Sequence, residues 1–212
     1  MRLLFERIAV PMARAGTRGA WYRGLRVMAL DGLVLDVPAT EDNINEFGRS
    51  GTPEVPSPYP QVRLVALGEC GTHGIVDAAL GPVATGEQTL AEQLIARFTP
   101  GMLVLGDRNF YGYQAWQQAA ATGAHLLWRV SASLRLPVLQ WLPEGSYRSV
   151  LINPRIRGRR REQLLAAAAA GQELDPAEAM AVRVVEYMID NRPGGGELTR
   201  KSSRGWAHSY AR

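Results

Sequence analysis

The chain has 212 residues, 46% hydrophobic and 21% charged, a mixture that excludes collagen-like, coiled-coil and fully disordered readings. Its single cysteine, Cys70, excludes an internal disulfide and a cysteine-rich zinc module, and no apolar run reaches the roughly 20 residues of a membrane span. The formal charge of +4 is unevenly spread: net +5 over 1–30, −6 over 31–132, +5 over 133–165, −4 over 166–199 and +4 over 200–212.

The start, MRLLFERIAV, is too short and too quickly charged for a secretory signal, so a soluble cytoplasmic chain without a membrane is expected. Leu25 to Leu30 reads as an apolar strand closed by the turn pair Asp31-Gly32, with Leu33 to Val37 as a partner strand. Residues 38–60 read as loop. Gln61 to Leu67 and Gly74 to Leu80 read as two strands around the turn Gly68 to His73. Helical spacing runs from Thr89 to Phe98 and stops at Pro100-Gly101, and Met102 to Leu105 is a buried strand ending at Gly106-Asp107. Tyr111 to Thr122 is a helix stopped by Gly123, and His125 to Val130 is another buried strand. Beyond Ser133, Pro137 to Leu142 and Tyr147 to Ile152 read as β segments, followed by an Arg-rich loop, an Ala-rich stretch and the strand-like Val182 to Ile189. The pattern predicts an α/β fold: a mixed sheet flanked by helices over 1–132, a β-rich insertion over 133–190, and an irregular tail over 191–212.

Asp31 and Asp107 each close an apolar strand. Carboxylates at strand ends converge on cation sites in phosphoryl-transfer centres, although turn chemistry accounts for Asp31 and helix capping, shared with Asn109, accounts for Asp107. Asp36 is the runner-up to Asp31. Cys70 and His73 have half of a zinc spacing without a second pair, and Gly68, Gly71 and Gly74 precede no helix, which argues against a phosphate loop. Arg155, Arg157, Arg159, Arg160 and Arg161 form the densest basic cluster. It suits either a solvated loop or a clamp on a DNA backbone. An acidic centre between basic flanks likewise fits cations held by carboxylates and a polyanion held by arginines, or plain surface fluctuation.

The run VMALDGLVLDVPAT, then Asn43 and Phe47-Gly48, then PQVRLVALGECGTHGIVDAALGP, TGEQTLA and MLVLGDRNFYGYQAW resembles the DDE transposases of bacterial insertion sequences, in the Tyr-Arg-Glu-Lys branch. The resemblance runs from about Phe5 to Glu197. It implies an RNase H-like fold and a Mg²⁺- or Mn²⁺-dependent cleavage and strand transfer on DNA, with Asp31 and Asp107 as catalytic metal ligands. It further implies that Arg108 and Phe110 complete the second motif, that DNA at the element's ends is the partner, that the intact form pairs as a homodimer, and that it acts at the nucleoid.

Two departures stand out. Pro38-Ala39-Thr40 replaces the family's Pro-Asp-Thr. The helix that should carry the third acid is not found: Tyr187 is followed by Asp190 where Arg belongs, Tyr210 has no room after it, and none of Glu162, Glu173, Glu178, Glu186 or Glu197 sits in the motif. On this reading the chain is a catalytic-domain fragment truncated at both ends. The alternatives are an inactive DNA-binding remnant or decayed gene product, and a metal-dependent phosphatase or nuclease unrelated to transposition.

Overall fold

Asp31 does not end a strand. In the computed structural model, which describes residues 2–131, 133–186 and 206–208, β2 runs unbroken from Leu25 to Asp36 and passes straight through Asp31-Gly32. The expected turn is absent because β3 (Gln61–Glu69) offers β2 nine consecutive antiparallel partners, from Met28 opposite Glu69 to Asp36 opposite Gln61. Ladder hydrogen bonds along this pairing outweigh the turn preference of an Asp-Gly pair. The stretch read as loop likewise holds a short helix, α2 (Glu41–Phe47), whose N-cap Thr40 accepts from the Asn43 amide at 3.3 Å.

The strands from Gln61 to Val185 fall in the predicted order with shifted ends, whereas the helices Arg2–Ile8 and Gly158–Ala169 and the strand Trp21–Tyr22 have no predicted counterpart. After α1 (Arg2–Ile8) and β1 (Trp21–Tyr22), β2, β3 and β4 (Gly74–Pro82) form an antiparallel meander. α3 (Glu87–Leu94) crosses to β5 (Met102–Gly106), and α4 (Tyr113–Ala121) crosses to β6 (His125–Arg129); both new strands run parallel to β2. Past residue 133, β7 (Gln140–Trp141), β8 (Tyr147–Ile152) and β9 (Ala179–Val185) join the same sheet, with α5 (Gly158–Ala169) between β8 and β9. Within the stretch read as an irregular tail, Trp206–His208 forms β10, antiparallel to both β6 and β9. The order across the sheet is β4-β3-β2-β5-β6-β10-β9-β8-β7. The class is therefore α/β, a mixed sheet flanked by helices.

One face of the sheet carries the main core. Met28 and Leu30 of β2, Val65 and Leu67 of β3, Val104 of β5 and Leu126 and Trp128 of β6 pack against Leu90 and Leu94 of α3 and Trp116 and Ala119 of α4. Trp116 and Trp128 meet edge to face with centroids 5.5 Å apart, both fully buried. A smaller cluster joins Leu164 of α5 to Val150 and Ala179. No helix among the described residues is long and apolar enough to cross a membrane.

Candidate functional site

Side chains alternate along a strand, so the odd-numbered positions of β2 face away from α3 and α4. The parallel register of β2 on β5 pairs Arg26 with Met102 and Ala29 with Leu105. The paired register ends two residues before Asp31 on β2 and two before Asp107. Asp107 keeps extended backbone (φ −74°, ψ 167°) just past the end of β5. Asp31 and Asp107 are both exposed.

The competing local roles are weak here. The Asp107 side chain makes no capping bond, and α4 starts at Gly112 with no side-chain cap from Asn109. Among the described residues, Asp31 Oδ1 accepts from the next amide, Gly32, at 2.9 Å. The loop after Asp107 is held from both sides: Phe110 is buried in the core, and Gln88 of α3 donates to the carbonyls of Asn109 and Tyr111 at 2.7 and 3.4 Å.

A third residue joins the pair that sequence reasoning missed. Arg129, last in β6, lies next to Asp107 because Gly106 is paired with Trp128, and its guanidinium stands 3.6 Å from the carboxylate. Once β5 and β6 are known to be parallel, the signal is legible: Arg129 follows Trp128 as Asp107 follows Gly106. Among the described residues no three acid, histidine or cysteine groups are placed to share a metal ion. Glu178 is ion-paired with Arg160, Glu186 accepts from the Tyr147 hydroxyl at 2.9 Å, and Glu162 and Glu173 are exposed on or just after α5. Tyr187, Glu197 and Tyr210 lie outside the described residues.

The arginine cluster is not a loop throughout. Arg155 and Arg157 precede α5, whereas Arg159, Arg160 and Arg161 form its first turns. An alanine-rich run with few breakers propagates helix back through them. Arg160 is taken up by a bidentate pair with Glu178, which leaves Arg155, Arg157 and Arg159 exposed. Arg161 is half-buried beside Arg135, Tyr147 and Glu186 in a cleft of about 380 Å³. That cleft opens past Val130, at the end of the sheet where Asp107 lies. Arg108 is exposed in the turn following Asp107.

No family model matches the chain. Over 130 residues it is 31% identical to the transposase InsG of insertion sequence element IS4 from Escherichia coli K12, covering 61% of this chain and 29% of that protein. It is 27% identical over 112 residues to the putative transposase InsZ of the same organism, covering 52% and 38%. The chain thus spans about a third of the length of the curated relatives it matches. Among solved structures, an endonuclease V from Bacillus subtilis aligns over 86% of this chain and 63% of its own at 11% identity with a TM-score of 0.31, too low to carry an argument.

Proposed function

We propose that the chain carries part of the catalytic domain of a DDE-type insertion-sequence transposase, with Asp31 and Asp107 as two carboxylates of its cation site. The reading is supported by the parallel pairing of β2 with β5, which ends at Ala29–Leu105, two residues before each acid. The order β4-β3-β2-β5-β6, antiparallel then parallel, supports an RNase H-like core, and the likeness to InsG and InsZ supports the transposase reading. Paired exposed carboxylates suit Mg²⁺ or Mn²⁺, hard cations that prefer oxygen ligands. Bound there, such a cation would supply activation of the attacking hydroxyl and stabilisation of the leaving oxygen. Asp31 and Asp107 would hold it, Phe110 and Gln88 would keep Asp107 in place, and Arg129 and Arg108 would face the DNA phosphates. Calorimetric titration of Mn²⁺ into wild type and Asp107→Ala tests the reading. Heat of binding in the wild type and none in the variant is expected; identical heats would end it.

A second reading is favoured by a specific observation. No third carboxylate joins Asp31 and Asp107 among the described residues, and residues that act catalytically as a unit lose most of the rate when one is missing. The chain then binds DNA without cutting it. Salt-dependent DNA binding with no nicking in Mg²⁺ or Mn²⁺ would select this reading.

A further inference from the structure

The segment Gly68-Glu-Cys-Gly-Thr-His-Gly74 has closely spaced glycines and a carboxylate at the end of an apolar strand, and the candidate site uses neither. Glu69 is 1% exposed, the only fully buried charged side chain among the described residues. Its Oε1 is ion-paired with Arg26. Its Oε2 accepts from the Thr72 hydroxyl and from the backbone amides of Met12 and Ala13, at 3.1 and 2.8 Å. Arg26 also donates to the Ala13 carbonyl at 3.4 Å and lies over the Trp21 ring at 4.5 Å, while the Trp21 indole donates to the Arg14 carbonyl at 2.9 Å. The partners of Glu69 thus converge on a segment more than fifty residues away.

The glycines belong to the same contact. A Cβ on Gly71 would stand 2.5 Å from the backbone nitrogen of Ala20, and one on Gly74 would stand 2.5 Å from Met12 Cε. At Gly71 only a residue without a side chain lets the Ala20 backbone lie this close, whereas at Gly74 the neighbour is the movable end of Met12. Ala13 and Ala20 are buried against the body, whereas Leu3, Leu4 and Ile8 of α1, just ahead, are 76%, 55% and 63% exposed. Residues 12–20 are tied down by this clasp, by burial of Ala13 and Ala20, and by the Val27 amide donating to the Ala20 carbonyl at 2.9 Å.

We propose that the Gly68–Gly74 turn is a built receptor for the strap Met12–Ala20, and that Glu69 is its clasp, so that strap and α1 release as one unit while the sheet stays folded. The inference does not depend on the transposase reading. Facing Glu69 are Arg26 from β2, Cys70 and Thr72 from the turn, and the two strap amides. Burial pushes the Glu69 carboxyl up, but the bonds from Thr72, Arg26, Ala13 and Met12 outweigh it and hold it below the usual carboxylate range. The clasp is therefore fully formed above that range and is lost as pH falls through the lower, folded value.

Amide hydrogen exchange on the full chain tests this. In Glu69→Gln the Met12 and Ala13 amides are expected to exchange at least tenfold faster, with Val65, Val104 and Leu126 unchanged. Gly71→Val leaves Glu69 in place but crowds Ala20, and is expected to give the same pattern. In wild type, protection of Met12 and Ala13 should fall on acidification before that of the core. Wild-type protection of both amides in both variants would overturn the proposal. So would equal acceleration of strap and core, which would make the strap part of a single cooperative unit.

Discussion

Alanine at Arg155, Arg157, Arg159 and Arg161 together is expected to weaken binding to duplex DNA roughly a thousandfold near 0.1 M salt, with little dependence on sequence. Each arginine that neutralises a phosphate contributes about 0.9 to the slope of log affinity against log salt, so four should flatten that slope by about 3.6. Arg160→Ala is the internal control. Its guanidinium is already held by Glu178, which keeps the Arg160 charge in place and lowers the Glu178 carboxyl through the same hydrogen bond. It should leave the slope nearly unchanged. Fluorescence anisotropy across a salt series reads both outcomes; an unaltered slope in the quadruple variant, or an equal loss in Arg160→Ala, would remove the cluster from the interface.

Trp116→Ala is expected to cost about 3–5 kcal/mol of stability. Trp116 is fully buried where α4 meets the sheet, edge to face against Trp128 and 6.4 Å from the Tyr111 ring. Deleting it leaves a cavity that α4 cannot collapse into, because Phe110 and Tyr113 pin its start in the same core. Trp116→Phe should cost under about 1.5 kcal/mol. It keeps a ring in the site, and it removes an indole N–H that is buried without a hydrogen-bond partner. Urea unfolding gives both numbers, and a loss below about 1 kcal/mol in Trp116→Ala would show that the helix layer does not rest on this residue.

The alternation of elements was legible because period-2 and period-3.6 apolar patterns are local: β5, β6 and β8 stand close to where their apolar runs put them. The Asp31-Gly32 pair carries a local turn signal, but the deciding partner, β3, starts thirty residues downstream and its register is not written near the dipeptide. α2 has only Ile44 and Phe47 as large apolar residues, too few for a period, and Thr40 as cap was the one available signal. Asp31 and Asp107 could be chosen from chemistry and resemblance, but that their strands β2 and β5 pair in parallel is a tertiary fact. Arg129 and Glu69 stayed hidden for the same reason: each takes its meaning from a partner on another segment.

β2 outruns its neighbour. β5 stops at Gly106, one step past the Ala29–Leu105 pair, whereas β2 continues to Asp36 with Leu33, Val34 and Leu35 each more than 40% exposed. Among the described residues this margin has no strand partner past Ala29; such margins template other chains, and the carboxylates at 31 and 36 guard it by mutual repulsion between molecules. Clumping of the purified protein should therefore increase as salt screens those charges, a trend that light scattering would follow directly.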